Sequence, residues 1–521
     1  MSRQSFRKRL LAILVAASLA ASMAPAAAQP APLDLRSLLQ VEGGLRVGGR
    51  PLDRMALLRL YQQRDFEPIW AAAPEREAAL LRALGAATEH GLDPAVFVVP
   101  TTRRDEREVL LTDAFLRYAA ALARGRVRAK ELEGDWAFPA PAFDGTATLD
   151  RAIGGDVGAV LAGLAPAEPG YKQLQEALAR YRKIAANGGW RHVPDGAKLK
   201  RGDSGAAVAA LRRRLAAEGY LAPEALTGGF DATVEAAVKR FQAQHGIAPD
   251  GAVGPDSFRA LNVPAAARVE QIRANLERWR ELPRNWPKTR IEVNVPAATL
   301  SAIEDGEARL VMRAIVGAED HPTPVMRARM NAVLFNPAWT IPASIVKNEI
   351  LPKLRQDAKY LERNHYVYRG PALQQLPGPS NALGRVKFEM PNVYDVYLHD
   401  TPSRPLFKRV SRSLSHGCVR LESPRELALY LLAAQTGWGH EDIDRVIAAG
   451  ATQRVPLARS LPVYLLYWTA FVDPDGAVEF RDDIYARDLR LSTALATRDA
   501  DERLVPTVSL DQTASDFGHN D

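Results

Sequence analysis

Residues 394–422 read "YDVYLHDTPSRPLFKRVSRSLSHGCVRLE" and contain Cys418, the only cysteine in a chain of 521 residues. The apolar run that ends at His399 predicts a β-strand, and the segment around Cys418 predicts a strand or turn before a helix. Only a thiolate is a good nucleophile, so a reactive cysteine needs a base or a positive environment. His416 shares the face of Cys418 if its segment is extended, whereas His399 reaches Cys418 only if the two segments pair. Both histidines are therefore candidate bases.

An inert, buried cysteine is the competing interpretation, because free cysteines are among the most buried residues. The nine histidines show no HxxxH or HxH spacing, so the sequence gives no support to a metal site. The local signature of papain-like proteases is also missing around Cys418. Gly417 allows a substrate to approach the backbone closely, and the N–H groups of residues 416–418 are candidate donors to an oxyanion. Residues 423–426 (SPRE) predict a capping box that starts the next helix.

The first 28 residues have the pattern of a secretory signal peptide. Basic residues precede the apolar run "LLAILVAASLAASM", and the small residues of "APAAAQ" favour cleavage after Ala28. The apolar run is too short to span a bilayer comfortably, and no adjacent arginine pair marks a twin-arginine signal. We therefore expect Sec-type export to the periplasm and no membrane span after signal cleavage. An uncleaved N-terminal anchor is the alternative.

Composition and charge exclude several classes of protein. The formal net charge of +7 includes four positive charges in residues 1–28, which leaves +3 for the predicted mature chain. This balance does not predict nucleic-acid binding, and no basic stripe with interleaved aromatic residues is present. A single cysteine excludes an internal disulfide and any site that needs several cysteine ligands.

Residues 29–195 predict a helical scaffold domain that is rich in Ala, Leu and Arg. The first amphipathic helix is predicted to start after Asp53, and a second has Asp113 as its N-cap and Gly125 as its stop. A third helix is predicted within residues 170–189. No catalytic motif is present in this part of the sequence.

Residues 196–263 predict a separate module of three helices. Apolar residues recur at helical spacing in "GDSGAAVAALRRRLAAEGYL" and "FDATVEAAVKRFQAQHGI", and a short third helix follows. A plain helical hairpin would show similar stripes. An ordered set of residues is more specific and resembles the peptidoglycan-binding domain found beside many cell-wall enzymes: Gly202-Asp203, Gly205, Gly219-Tyr220, Phe241-Gln242, Asp250-Gly251, Gly254 and Leu261-Asn262. This resemblance implies binding to the wall polymer.

After this module the sequence changes to short β-like runs such as "IEVNVP" and "NAVLFNP", and a stretch dense in Gly, Pro and Asn interrupts them. We expect these divisions: a connecting helix at 264–289, a catalytic domain at 290–460 with a lid insertion at about 345–392, a C-terminal extension at 461–504 and a polar tail at 505–521. The predicted fold class is therefore multidomain α+β, with a helical scaffold, a three-helix module and a mainly β catalytic domain.

The combination of residues around Cys418 resembles one family. "HDTP" at residues 399–402, followed by "SHGCVR" at residues 415–420, matches the signature of the L,D-transpeptidase catalytic domain of the YkuD type. Arg420 occupies a position where the YcbB-like branch also has arginine. The stretches "FNPAWTIPASI", "LFKRVSRSLSHGCVRLE" and "PVYLLYWTAFVDPDGAVEFRDDIYARD" resemble that branch as well, so the resemblance covers nearly all of the predicted mature chain.

The resemblance implies a role for each candidate site residue. Cys418 is the implied nucleophile, and His399 is its base, oriented by a backbone carbonyl near Asp400. The implied supporting residues are Gly417, which with Cys418 supplies oxyanion N–H donors, Ser415 and His416, which hold the loop, and Arg420, a support or carboxylate contact. The implied residues of the substrate cleft are Tyr397, Trp339 and Asn336.

The activity implied by the resemblance is acyl transfer from a tetrapeptide donor stem, with release of D-Ala, to the diaminopimelate side-chain amine of an acceptor stem. The product is a 3→3 peptidoglycan cross-link, and no metal or organic cofactor is implied. The implied partners are peptidoglycan stem peptides and glycan, with other cell-wall synthases as candidates, and carbapenems are expected to acylate Cys418. An L,D-carboxypeptidase on the same scaffold and an inactive peptidoglycan-binding structural protein are the alternatives.

Overall fold

The structure, a computed structural model, describes residues 34–503. The predicted signal peptide at residues 1–28 and the predicted polar tail at residues 505–521 lie outside these described residues. Between residues 34 and 503, no helix combines the length and the apolar composition needed to cross a membrane.

The first part of the chain is helical, as the sequence predicts for the scaffold domain. Its core contains the aromatic side chains of Tyr61, Trp70 and Phe115. Its elements are α1 Leu35–Gln40, β1 Leu45–Val47, β2 Arg50–Leu52, α2 Arg54–Gln62, α3 Pro74–Gly85, α4 Arg104–Arg124, α5 Ala129–Leu132, α6 Gly145–Ile153, α7 Val157–Ala162 and α8 Pro169–Ala186, with 3-10 turns at Ala86–His90 and Pro94–Phe97.

Two predicted helix ends in this part are confirmed, and one is wrong. The Asp53 carboxylate accepts a hydrogen bond from a first-turn N–H at 2.9 Å and caps α2, as predicted. Gly125 ends α4 with a φ of +77°, a conformation that favours glycine. Asp113 is not an N-cap, because α4 begins at Arg104. Its carboxylate instead pairs with Arg117, one turn further along the helix, at 2.7 Å.

The predicted three-helix module is present, and its helices pack around one apolar core. Its helices are α9 Ala206–Ala217, α10 Ala232–Gln244 and α11 Pro255–Leu261, with a 3-10 turn at Pro223–Leu226. The side chain of Gln242 is buried, and its amide bonds to the Asp250 carboxylate and to the Gly251 N–H, each at 2.9 Å. This buried contact links two members of the ordered residue set that resembles a peptidoglycan-binding domain, Phe241-Gln242 and Asp250-Gly251.

The helix α12 Ala265–Arg280 follows the module and joins three parts of the chain. It packs against α8 and against the last helix of the structure. The buried Glu277 carboxylate of α12 accepts hydrogen bonds from the Arg126 N–H and, at 2.8 Å, from the Val127 N–H just after α4. The buried Asn275 amide donates to the Thr469 hydroxyl at 2.7 Å, beyond the main sheet. Buried polar contacts therefore fix the scaffold helices against the catalytic region.

The catalytic region is built mainly of strands, of which three have ten or more residues. Its elements are β3 Arg290–Asn294, β4 Thr299–Glu304, β5 Glu307–Gly317, β6 Met326–Phe335, β7 Trp339–Thr340, α13 Ala343–Ile345, a π-helical turn Val346–Ile350, α14 Leu351–Gln356, α15 Tyr360–Arg363, β8 Tyr366–Arg369, β9 Ala372–Gln375, β10 Val386–Glu389, β11 Leu398–His399, a 3-10 turn Arg404–Lys408, β12 Ser413–Ser415, β13 Val419–Leu421, α16 Pro424–Thr436, α17 His440–Ala449, β14 Gln453–Leu466, β15 Ala470–Val472, β16 Val478–Phe480 and α18 Arg487–Glu502.

The main sheet of this region closes on itself. Nine strands follow the order β12-β5-β13-β11-β10-β6-β14-β3-β4, and β4 also pairs with β5. That extra pairing closes eight strands into a barrel, with β12 added to β5 outside the ring. Fully buried side chains such as Ile291, Val333, Phe388 and Leu465 belong to the apolar core of this region.

Two predicted boundaries in the catalytic region are wrong. A boundary after residue 460 would cut β14, whose residues 461–466 pair with β6 and β3 inside the main sheet. A lid insertion that ended at residue 392 would include β10, which pairs with β6 and β11 in the barrel. Ladder hydrogen bonds therefore bind both segments to the barrel, whatever the local composition suggests.

The residues between β6 and β10 form a small subdomain, here called the insertion. β7, β9 and β8 make an antiparallel three-stranded sheet, and α13 to α15 lie next to it in sequence and space. Ile341, Ile350 and Leu373 form a core of its own. The helix after the cysteine segment, α16, begins at Pro424 as predicted, but the predicted capping box does not form because the Ser423 side chain makes no capping bond.

Candidate active site

Strand pairing joins the two halves of the motif on which the sequence prediction rests. β11 and β13 run parallel, with Leu398 opposite Val419. The Val419 N–H also donates to the Tyr397 carbonyl at 3.1 Å. Cys418 directly precedes β13, and His399 is the last residue of β11. The condition under which His399 can reach Cys418, that their two segments pair, is therefore met.

The pleat of these two strands separates a core face from a reactive face. The leucine and valine side chains of β11 and β13 are buried in the barrel core. Because successive side chains of a strand alternate, their neighbours point to the opposite face. These neighbours are Tyr397 and His399 on one segment and Cys418 and Arg420 on the other. All four line a cavity of about 270 Å³.

A second and larger cavity opens from the same cysteine. It has a volume of about 760 Å³ and shares Trp339, Tyr397, His416 and Cys418 with the first cavity. The insertion contributes much of the wall of the first cavity, whereas the loop between β10 and β11 contributes much of the wall of the second. A group bound in either cavity can therefore approach the thiol.

His399 is buried, and one of its ring nitrogens is already engaged. Its Nδ1 lies 2.6 Å from the Asp400 carbonyl oxygen, which can only accept a hydrogen bond, so Nδ1 carries the proton and Nε2 keeps its lone pair. Burial, followed by repulsion from Arg420, lowers the pKa of His399 to about 3. The imidazole is therefore neutral near pH 7.

The thiol of Cys418 is also neutral at rest. Burial raises the pKa of Cys418 above its usual value, and contacts with Tyr397 oppose that rise. Its Sγ lies 3.9 Å from the Asp395 carbonyl oxygen. A thiol with a raised pKa beside an imidazole with a lowered pKa does not form a resting thiolate–imidazolium pair. His399 and Cys418 lie on paired segments and line the same cavity, so a neutral imidazole and a neutral thiol share one face of the barrel.

A serine holds the loop that carries the cysteine. The Ser415 hydroxyl donates to the Cys418 carbonyl at 2.5 Å and accepts the Gly417 N–H at 3.2 Å. Gly417 has a φ of +102°, which favours glycine. Because the Gly417 N–H is engaged by Ser415, the expectation that it donates to an oxyanion is corrected. Within residues 34–503 the Cys418 N–H has no hydrogen-bond acceptor, so this donor is available.

Sequence reasoning missed Thr323, which fixes the cysteine loop from the other side. The buried Thr323 hydroxyl donates to the Gly417 carbonyl and accepts the Gly317 N–H, both at 2.8 Å. The Tyr485 hydroxyl donates to the Gly317 carbonyl at 2.6 Å and completes the network. A Cβ on Gly317 would lie 2.1 Å from a backbone oxygen, so this close approach requires glycine. No local motif marks Thr323, because its role depends on contacts with distant segments.

His416 is the nearer histidine in sequence, but its closest contacts are with the insertion and the loop after β5. Its Nε2 lies 2.8 Å from the Glu349 carboxylate of the π-helical turn. Its ring meets the ring of His321 edge-on, with 4.9 Å between the centroids. His416 therefore links the cysteine loop to the insertion. Although acidic and histidine side chains meet here, no group of three or more such side chains in residues 34–503 has the arrangement to hold a metal ion.

Sequence reasoning also missed Lys387. β10 pairs with β11 so that Lys387 lies opposite His399, and its Nζ lies 3.9 Å from the centre of the Tyr397 ring. Burial lowers the pKa of Lys387, although the nearby Glu389 carboxylate opposes that shift. The alternation in "VKFE" at residues 386–389 places a lysine on one face of a strand, but it does not say which strand lies beside it.

The structure brings two of the three predicted cleft residues to the cavities. Trp339 and Tyr397 line both of them. Asn336 lines neither cavity, so its expected role is corrected. Its side chain is fully buried, and its amide donates to the carbonyls of Val446 at 2.9 Å and Ile447 at 3.2 Å. These carbonyls belong to the last turn of α17, so Asn336 satisfies a helix end.

The network around Thr323 predicts a loss of stability when its hydroxyl is removed. Thr323→Val keeps the shape of the side chain but leaves the Gly417 carbonyl and the Gly317 N–H without their partner, at a cost of about 1–3 kcal/mol. In thermal unfolding we expect Tm to fall by about 2–8 °C. Thr323→Val should also change the rate of Cys418 alkylation, because the cysteine loop loses a support. Thr323→Ser keeps the hydroxyl and should keep the wild-type rate. A Thr323→Val variant with wild-type Tm and alkylation rate would contradict this role.

The neutral thiol predicts how alkylation of Cys418 depends on pH. Only the thiolate reacts, and the pKa of Cys418 is raised. The alkylation rate with iodoacetamide should therefore climb with pH and reach its midpoint above about pH 8.5, which is the pKa of a free thiol. Because the pKa of His399 is about 3, no imidazolium is present to hold a thiolate between pH 5 and 7. A plateau of fast alkylation in that range would contradict the neutral pair. Cys418→Ala is the labelling control, since the chain has one cysteine.

Family models match three parts of the chain. Residues 288–447 match the L,D-transpeptidase catalytic domain, YkuD. Residues 204–261 match the family described as "Putative peptidoglycan binding domain", and residues 55–178 match a scaffold domain. The order of these matches is the order that the sequence predicts.

Several known proteins are similar to this chain. "Putative L,D-transpeptidase" of Haemophilus influenzae is 34% identical over 250 residues, which are 43% of this chain, and the chain spans 50% of the length of that relative. The L,D-transpeptidase structure from Xylanimonas cellulosilytica is 18% identical, with a TM-score of 0.20, over 52% of this chain and 99% of that one. The L,D-transpeptidase from Mycobacterium smegmatis is 17% identical, with a TM-score of 0.20, over 34% of this chain and 58% of that one. Structural likeness at these TM-scores carries no argument about this chain.

The family models agree with the resemblance carried by the residues around Cys418 and with the order of the domains in the structure. This chain therefore contains an L,D-transpeptidase catalytic domain of the YkuD type, joined to a scaffold domain and a peptidoglycan-binding domain.

Proposed function

We propose that the chain is a cysteine acyltransferase that forms 3→3 cross-links between the stem peptides of peptidoglycan. The observation that carries the proposal is that two cavities, of about 270 and 760 Å³, meet at Cys418. A transfer reaction needs room for a donor and for an acceptor at one nucleophile, whereas a hydrolase needs room for its substrate and a water molecule. The larger second cavity therefore favours transfer over hydrolysis.

The first step acylates the thiol. His399 Nε2 takes the proton of Cys418 as the sulfur attacks the carbonyl carbon between residue three of the donor stem and its terminal D-Ala. The free Cys418 N–H is the donor available to the oxyanion that forms. When this intermediate collapses, the carbon–nitrogen bond breaks, and His399 returns its proton to the departing D-Ala amine. The product is a thioester on Cys418.

The second step transfers the acyl group. The diaminopimelate side-chain amine of an acceptor stem attacks the thioester from the other cavity, and His399 takes its proton. The carbon–sulfur bond breaks, the Cys418 sulfur regains a proton from His399, and an amide bond joins the two stems. The insertion forms much of the wall of the first cavity, and a wall that excludes water favours the amine over hydrolysis.

The charges of the two cavities differ in a way that fits donor and acceptor. Arg420 lines the first cavity, where it can pair with a carboxylate of the donor stem. Glu389 and Asp395 outnumber the one lysine, Lys387, in the wall of the second cavity, and this balance attracts an ammonium group before it loses its proton. Trp339 and Tyr397 line the junction of the cavities and offer flat apolar surfaces to both stems.

The substrate places the enzyme outside the cytoplasmic membrane. We propose Sec-type export with cleavage after Ala28, and action in the periplasm on stem peptides and glycan beside other cell-wall synthases. The same thioester chemistry makes Cys418 a target for acylation by carbapenems, which mimic the acyl donor.

Product analysis with a soluble disaccharide tetrapeptide tests the proposal. We expect 3→3 dimers, with one D-Ala released for each dimer. Cys418→Ala should abolish the products, and His399→Ala should slow their formation about 10²–10⁴-fold, the usual contribution of a general base. His416→Ala is the matched histidine control and should lose far less activity, because its contacts are with the insertion.

Two outcomes would contradict the proposal. Tripeptide without dimers would assign the site to an L,D-carboxypeptidase, since water would then be the acceptor. A chain that released no D-Ala with an intact Cys418 and His399 would be an inactive wall-binding protein.

A further inference from the structure

A groove of about 500 Å³, here called the basic groove, lies between the peptidoglycan-binding module and the barrel. One wall contains residues 243–249, at the end of α10 and in the loop after it. The other wall contains barrel residues and residues 408–413, which lead into the cysteine loop. Arg481 joins the two sides, because its guanidinium donates to the Gln244 carbonyl at 3.0 Å and packs against Gly246.

Cations outnumber carboxylates in the walls of the basic groove. Six arginine and lysine residues line it, against two aspartates. Arg259, Arg313 and Arg481 each have a carboxylate partner. Lys408 and Arg409 form no ion pair with any residue of the described part of the chain, and both side chains are exposed. Their charges are therefore available to an anionic ligand.

Arg412 holds this cationic segment against the barrel. Its guanidinium donates to the carbonyls of Ala297 at 3.0 Å, Ala314 at 3.1 Å and Arg409 at 3.1 Å. Carbonyl oxygens satisfy its hydrogen bonds but do not cancel its charge. Arg412 therefore positions the segment and adds a third cation that no carboxylate neutralises.

The strand β12 connects the basic groove to the catalytic cavity. Ser413, at its start, lines the groove, and Ser415, at its end, lines the cavity that contains Cys418. Two residues along a strand span about 7 Å. A polymer bound in the groove would therefore lie beside the module and next to the strand that leads to the catalytic cavity.

We propose that the basic groove binds stem-peptide carboxylates of the peptidoglycan strand that the module holds, and so keeps the polymer beside the catalytic cavity. The inference rests on the proposed function, which supplies the substrate. Stem peptides carry several carboxylates, and charge-assisted hydrogen bonds from lysine and arginine recognise that group. A soluble tetrapeptide can fill the cavity without reaching the groove, so the groove acts on the polymer.

The test compares the double variant Lys408→Glu/Arg409→Glu with the wild-type full chain. The matched control is Lys130→Glu/Lys172→Glu, which changes the charge equally at two exposed residues of the scaffold part. Two quantities are measured: co-sedimentation with purified sacculi at rising salt, and the rate of cross-linking on sacculi relative to the soluble disaccharide tetrapeptide. We expect the groove variant to lose about tenfold in both quantities, since 1.4 kcal/mol of lost contact is a factor of ten. Binding of the wild type should weaken with salt.

Three results would overturn the inference: sacculus binding equal to that of the control variant, equal losses on both substrates, or wild-type binding that salt does not change. Equal losses would mean that the substitutions act through the cysteine loop. Failure of the proposed function looks different, because the wild type would then form no dimers from either substrate, whether or not it released D-Ala. Co-sedimentation would still decide whether the groove binds the wall.

Discussion

The parallel pairing of β11 with β13 is the constraint on which the catalytic site depends. It brings together two residues that lie nineteen positions apart in the sequence, His399 and Cys418, on the face opposite the barrel core. A shift of one residue in this pairing would turn the thiol toward the core and Val419 toward the cavity. Because β13 is held between β11 and β5 in the closed barrel, such a shift would break ladders on both sides. The barrel therefore fixes the reactive face as firmly as it fixes its own core.

The cysteine loop shows how the protein keeps a neutral nucleophile in place. Burial disfavours the thiolate of Cys418 and the imidazolium of His399 alike, so the resting site stores no ion pair. Hydrogen bonds from Ser415 and Thr323 hold the loop from two sides. A third contact, between His416 and Glu349 of the insertion, joins two side chains that water reaches and is therefore the weakest of the three. The cysteine loop is thus held firmly on the side that faces the barrel and less firmly on the side that faces the substrate cavities.

The sequence was most informative where local structure depends on neighbours along the chain, although the predicted capping box at residues 423–426 does not form. The helix start at Asp53 and the three helices of the module were predictable from spacing and capping chemistry. The pairing of the His399 and Cys418 segments was a condition that spacing left open. Asp113 was misread because a long helix contains residues that also suit a helix start. Local propensity does not say where the first turn lies when an apolar stripe continues upstream.

The errors in the site have a common physical cause. Asn336 satisfies the end of α17 and Thr323 holds the Gly417 carbonyl, and both contacts join segments about one hundred residues apart. The role of Lys387 follows from strand order, which the sequence does not state. The boundary after residue 460 failed because β14 bends at a register shift and then continues in the same sheet. Such contacts are decided by the barrel as a whole and leave no local motif.

Intact-mass spectrometry after incubation with a carbapenem tests the central claim most directly, because it reports the reactivity of the thiol and its position together. Wild-type protein should gain the mass of one drug molecule, and peptide mapping should place it on Cys418. Cys418→Ala should gain nothing, and His399→Ala should acylate more slowly, because the thiol would lose its proton acceptor. A wild-type mass unchanged by the drug, or an adduct on any other residue, would contradict the account.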